Sequence, residues 1–248
     1  MDFKFDRYDL NARLAPMLIT LMPIGLAIIS LFPDSSSGLG LVVAAVTYCG
    51  MLVLLSNLGR DLGKAKEKEL FQKWGGPPTS TLLNPKTSSL PKPELQGIHA
   101  KLAELTGTPL SNDTTPEEAE AVYKTWTSYL IANTRGDAHG QFKMVKTENI
   151  NFGFRRNLLG LRQTGIWLAA LALVIIIWDH SVLTWGGNFP WHLDMLRLCP
   201  AAKSAILVTI CTAGVLLFTV KDEWVKPAAE AYARQLIKST HVLKDTNE

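Results

Sequence analysis

Four stretches of this chain run without a charged residue for about the length a membrane-spanning helix needs. Leu14 to Phe32 is 19 residues, Ser35 to Gly59 is 25, Gln163 to Trp178 is 16 and Ser204 to Val220 is 17. A helix rises about 1.5 Å per residue, so about 20 apolar residues cover about 30 Å of hydrocarbon. The first two runs reach this alone. The last two are shorter, but Arg162, Lys203 and Lys221 flank them, and long basic side chains carry their charge out to the headgroups. A pair of buried hairpins in a soluble core is the competing reading; four charge-free runs in 248 residues argue against it. Charged residues make up 19% of the chain, below the roughly 25% of soluble domains. The first run is too long for a signal peptide, and no small-residue cleavage site precedes Pro33.

The pattern predicts an all-α membrane protein, with four transmembrane helices and a mainly helical cytosolic insert between spans two and three. Basic residues set the orientation. Of 25 Lys and Arg, two (Arg197 and Lys203) fall in the connections within the two hairpins, leaving 23 in the tails and the insert. By the positive-inside rule, both termini and the insert face the cytoplasm. The expected organisation is a cytosolic N-terminal tail (1–13), a first transmembrane hairpin (14–59), a cytosolic domain (60–162), a second hairpin (163–220) with an outer loop (179–203), and a cytosolic C-terminal helix (221–248). Trp178, Trp185, Phe189 and Trp191 near that loop suit an interfacial aromatic belt. Asp179, His180, His192 and Asp194 match no firm metal spacing, and no metal site or cofactor is expected. Cys49 and Cys211 lie within spans and Cys199 beside the outer face, a spacing that supports no disulfide framework.

Within the insert, Arg60 to Trp74 continues the second span as a helix, which Gly75-Gly-Pro-Pro78 ends. Thr79 to Pro93 is proline-rich and predicted to be extended. Leu95, Ile98, Leu102 and Leu105 mark a helix over Glu94 to Thr106, stopped by Gly107. Thr115-Pro-Glu-Glu118 is a capping box opening a helix to about Thr134, with Val122, Trp126, Tyr129 and Leu130 buried. Gln141 to Phe154 alternates weakly and predicts a strand or hairpin. Lys221 to His241 reads as a helix.

Catalytic motifs are missing: no phosphate-binding glycine loop, no nucleophile elbow and no zincin pair occurs. No span carries a charge of the kind that proton relays and ion-coupled transporters use. Cytosolic His99 and His139 stand alone and read as surface or helix residues. Three other features point to function. Arg60, Lys64 and Lys68 follow span two and Arg155, Arg156 and Arg162 precede span three, a basic face suited to anionic lipid or to the phosphate of a nucleotide messenger or nucleic acid. Ala201, Ala205, Thr209 and Ala213 form a small-residue ridge for close helix packing, within one chain or in a homo-oligomer. Pro23 with Gly25 bends span one and offers a hinge.

The stretches Gly59-Arg-Asp-Leu-Gly-Lys64, Lys73-Trp-Gly-Gly-Pro-Pro-Thr79 and Glu148-Asn-Ile-Asn-Phe-Gly-Phe-Arg-Arg-Asn-Leu-Leu-Gly-Leu161 resemble patterns in bacterial four-span membrane proteins. The layout of two spans, insert and two spans is similar to that of four-helix membrane effectors of anti-phage defence. That resemblance implies a non-enzymatic, oligomeric effector or sensor subunit of the bacterial inner membrane, acting on the lipid bilayer with a cytosolic protein partner. The alternative is a small transporter, channel or membrane-anchored enzyme, with a polar path past Thr20, Thr47, Asn57, Thr209 and Thr212.

Overall fold

The computed structural model describes residues 7–31, 38–111, 113–135, 140–182 and 200–243, with the side chains of residues 31, 38–49, 51–55, 179–182 and 201 left aside. All its regular elements among these residues are helical. A π-helical segment, Asp9–Leu14, leads into α1 (Ala15–Leu31). Then follow α2 (Gly38–Lys73), α3 (Pro78–Leu83), α4 (Lys92–Thr106), α5 (Pro116–Arg135) and α6 (Lys143–Val182). Helix α7 (Pro200–Gly214) passes into a π-helical segment, Val215–Thr219, and α8 (Asp222–Lys238) ends in a 3-10 turn, Ser239–His241.

Two sequence expectations are corrected. The strand or hairpin over Gln141 to Phe154 is instead the beginning of α6, a helix of 40 residues. Its weak alternation coincides with a helical face, because Phe142, Val145 and Phe152 recur at near-helical spacing and are all buried. Thr79 to Pro93 is not extended throughout: Pro78 opens the short helix α3, whose missing N–H is harmless at a first-turn position. The N-terminal tail is also helical from Arg7 onward. The turn at 32–37, most of the outer loop with its Trp and His residues, Cys199 and His139 lie outside the described residues.

Three helical stretches are long and apolar enough to cross a membrane: Asp9–Ser30, Lys143–Trp178 and Ala202–Thr219. The chain divides into two compact units. One takes the chain up to Lys66 with Gly153–Trp224; the other takes Glu67–Phe152 and the chain from Val225. Helices α2 and α6 contribute residues to both.

In the first unit, α1, α6 and α7 share a small-residue core of Ala27, Ala172, Ile176, Ala202, Ala205 and Ile206. Their outer sides are apolar as well. Ile29 is 65% exposed, Trp167 67% and Phe218 76%, with Leu171, Val174, Leu207 and Ile210 beside them in sequence. Water-facing helices put charge on such faces; apolar residues all round mark a helix with apolar surroundings.

The second unit follows the opposite rule. Its core joins Leu82 and Leu83 of α3, Ile98 and Leu102 of α4, Tyr123, Trp126 and Leu130 of α5, Phe142 and Val145, and Ala233, Leu236 and Ile237 of α8. Trp126 is fully buried, and its indole N–H donates to the Thr108 carbonyl at 3.3 Å and hydroxyl at 3.1 Å. The capping box at Thr115 forms as expected. The Glu118 N–H donates to Thr115 Oγ1 at 3.3 Å, and the Glu118 carboxylate accepts from the Thr115 N–H and hydroxyl, both at 2.9 Å. These bonds hold the Glu118 carboxyl below its ordinary pKa.

Candidate functional site

Residues from two of the three stretches that carried the sequence resemblance meet at a helix crossing in the first unit; the other stretch, residues 73–79, lies in the second unit. Gly59 and Gly63 stand one turn apart on α2; Gly153, Asn157 and Gly160 lie along one side of α6. A Cβ placed on Gly160 would come within 2.6 Å of the Gly63 nitrogen, and one on Gly63 would collide with the Asn157 carboxamide. At Gly59 it would meet Leu161 at 2.9 Å and Met17 at 3.0 Å; at Gly153, Ala12 and Tyr8 at 3.1 Å. The glycines therefore let backbones approach within this unit, the usual purpose of a G-x-x-x-G spacing.

Asn157 is the polar centre of this crossing, 1% exposed. Its Nδ2 donates to the Ala12 carbonyl at 2.7 Å, and its Oδ1 accepts from Arg156 Nε at 3.3 Å. The reason Ala12 needs such a partner is local. In a regular α-helix its oxygen would accept from residue 16, and Pro16 has no N–H; the segment here is π-helical, and Asn157 supplies a side-chain donor from α6. One turn later, Thr20 Oγ1 donates to the Pro16 carbonyl at 2.8 Å.

The predicted basic face is largely occupied by the chain itself. Arg162 Nε donates to the Leu216 carbonyl at 2.9 Å and Nη2 to Leu217 at 3.3 Å. These oxygens belong to the end of the α7 segment, where carbonyls lack helical donors and a cation complements the helix dipole. Arg155 Nη1 donates to the Trp224 carbonyl at 2.8 Å, and its guanidinium lies 5.0 Å from the centre of the Trp224 ring. Phe154 meets the same ring edge-on at 6.3 Å. Arg156 is buried at 8% exposure, and Arg60 pairs with the neighbouring Asp61 at 3.3 Å. Lys64 and Lys68 are exposed. The arginines of this face thus have separate partners within the chain, while the exposed lysines fall in different units.

Of the small-residue ridge, the Ala201 side chain lies outside the described ones and the rest faces inward. Ala205 and Thr209 are buried, Ala213 is half-buried, and Ala205 belongs to the shared core with α1 and α6. Pro23 is buried within α1, which continues through it to Leu31, with Gly25 half-buried beside it. Thr20, Thr209 and Thr212, considered above as lining a polar path, are all buried.

Sequence reasoning missed Asn157 and the two glycine contacts, although Gly59 and Gly63 at a four-residue spacing were visible. His99, read from the sequence as a surface or helix residue, lies in α4 and is half-buried in the second unit. Its Nε2 lies 2.8 Å from the Leu83 carbonyl, and its ring centre lies 5.1 Å from Trp126 and 6.2 Å from Tyr123. Burial lowers its pKa, more than the Leu83 bond raises it. No group of three or more metal-type side chains occurs among the described residues. No family model matches the chain, and neither a curated protein nor a solved structure is similar to it.

Proposed function

We propose that this chain is a four-span protein of the bacterial inner membrane, with both termini and the second unit in the cytoplasm, serving as a non-enzymatic effector or sensor subunit in anti-phage defence. The observation that carries the membrane part is the first unit itself, where α1, α6 and α7 are apolar on their outer as well as inner sides. The start of α2, helical and without a charge from Gly38 to Gly59, supplies the fourth span. The 23-to-2 division of basic residues supplies the orientation. The sensor part is supported by the second unit, a water-type core built on helices that include parts of α2 and α6. A signal received there has two unbroken helices through which to act. In this reading the subunits form a homo-oligomer through the exposed side of α7 and the π-helical segment after it, at Leu207, Ile210 and Phe218, because Ala205 and Thr209 are taken up inside the chain. Lys64 and Lys68 then meet anionic lipid, and a cytosolic protein partner docks on the second unit.

Topology is the first test. Alkaline phosphatase fused after residue 243 is expected to be inactive, and fused between 184 and 188 to be active; the reverse pattern overturns the assignment. Function is tested with the purified protein in vesicles of phosphatidylethanolamine and phosphatidylglycerol loaded with a fluorescent dye. Release that rises more steeply than linearly with protein per vesicle supports an oligomeric effector. Vesicles that stay sealed at every loading remove the effector reading and favour a transporter.

A further inference from the structure

One face of α8 carries Lys226, Glu230 and Arg234 at four-residue intervals, while Val225, Ala229, Ala233, Leu236 and Ile237 turn into the core. Between this face and the segment from Trp74 to Ser89 lies a groove of about 240 Å³, entirely within the second unit. Trp74, Pro78 and Leu82 give it an apolar wall. Gly75 and Gly76, both at positive φ (79° and 135°), turn the chain out of α2 at its edge. Arg234 Nη2 donates to Ser89 Oγ at 3.0 Å, which fixes one end of the guanidinium. Lys226 and Glu230 make no hydrogen bond or ion pair among the described residues, although they stand one helical turn apart.

We infer that this groove binds a mononucleotide-sized phosphate ester, its phosphate held by Arg234 and its ring against Trp74, with Lys226 about two turns away along α8. Lys226 and Arg234 are separated by about 12 Å along the helix axis, too far for both backbones to serve a small ion symmetrically and suited to a longer anion. Guanidinium geometry matches phosphate oxygens two at a time, while an ammonium acts as a point charge. Glu230 between them repels a simple polyanion and offers an acceptor to a hydroxyl or exocyclic amine. A ligand with phosphate, hydroxyls and an aromatic ring meets all three side chains; an aromatic ring on tryptophan tolerates any base. The site stands on the groove alone; its use as a trigger rests on the sensor reading above.

The test is equilibrium dialysis of the full chain in detergent against radiolabelled AMP and GMP. Retention of at least one nucleotide is expected, weakened about tenfold or more by R234E, weakened less by K226E and by W74L, and unchanged by K64E. Inorganic phosphate is expected to displace it poorly. Circular dichroism and the melting midpoint check each variant; should R234E fail to fold, K226E, whose side chain bonds no described neighbour, still decides. Equal affinity in K226E and the parent, displacement by inorganic phosphate as effective as by AMP, or retention of neither nucleotide overturns the site. Binding without dye release from vesicles leaves the site standing and removes the sensor reading, and dye release without binding does the reverse.

Discussion

Gly160 and Trp126 lie at the two extremes of side-chain size, and each marks a helix contact of its own unit. At Gly160 the backbones of α6 and α2 approach so closely that a single methyl group has no room. At Trp126 an indole fills the space among α3, α4, α5 and α8. In the proposed membrane setting, the surroundings explain the contrast. Where water surrounds a unit, burying a large aromatic supplies most of the driving force. Lipid tails are as apolar as the side chains, so close approach and hydrogen bonds must hold helices together there. Arginines differ accordingly: in the first unit Arg155 and Arg162 close helix carbonyls, whereas in the second Arg234 touches a serine at a surface groove.

The contrast can be broken most forcefully at the tryptophan. Trp126→Ala should destabilise the second unit by about 3–5 kcal/mol, seen as loss of cooperative melting by near-UV circular dichroism. Protease resistance of Gly153–Trp224 in detergent should persist, and parallel loss of both would show that the units do not differ in what stabilises them. Gly160→Val is the mirror experiment. Overpacking of about 1–3 kcal/mol is expected, read as earlier unfolding of the first unit in a denaturing detergent titration. An unchanged midpoint would mean that α2 and α6 separate easily.

Mild acid should weaken the second unit. His99 is held below its ordinary value of 6.5 by burial, so the unfolded chain takes up a proton that the folded unit refuses. The stability is complete above about pH 6.5 and is lost as pH falls through the lower folded value. Melting midpoints of the parent should drop on acidification, and His99→Gln should flatten that slope. A slope equal in both proteins would assign the acid sensitivity elsewhere. The smallest effect has the opposite sign. Gly97, in α4, has nothing within 4 Å of an added Cβ, so Gly97→Ala should stabilise by about 0.5–1 kcal/mol. Thermal melting that shows a loss would reveal a contact at that face.

What could be read from the sequence followed the same division. Leu95, Ile98 and Leu102 announce α4 through spacing alone, and Thr115 with Glu118 announces the cap of α5, because both signals are local. Gln141 to Phe154 misled, since weak alternation fits a strand as well as a helix, and only the unbroken continuation of α6 to Val182 decides. Pro78 among its proline-rich neighbours likewise hid a six-residue helix. The crossing of α2 and α6 was legible as a glycine spacing but not as a pairing, because Gly63 and Gly160 lie far apart in the chain. The arginine face was read by charge density, which cannot reveal that Arg162 belongs to the Leu216 carbonyl and Arg155 to that of Trp224.

The bond from Asn157 to the Ala12 carbonyl joins residues 145 positions apart. The donor comes from a helix made long after the acceptor, so this bond forms only once α6 lies against the N-terminal segment. It also reads register: sliding α6 by one turn would bring Gly153 or Leu161 opposite the oxygen, and neither side chain has an amide to offer. A single carboxamide thus distinguishes one alignment of the two segments from its neighbours.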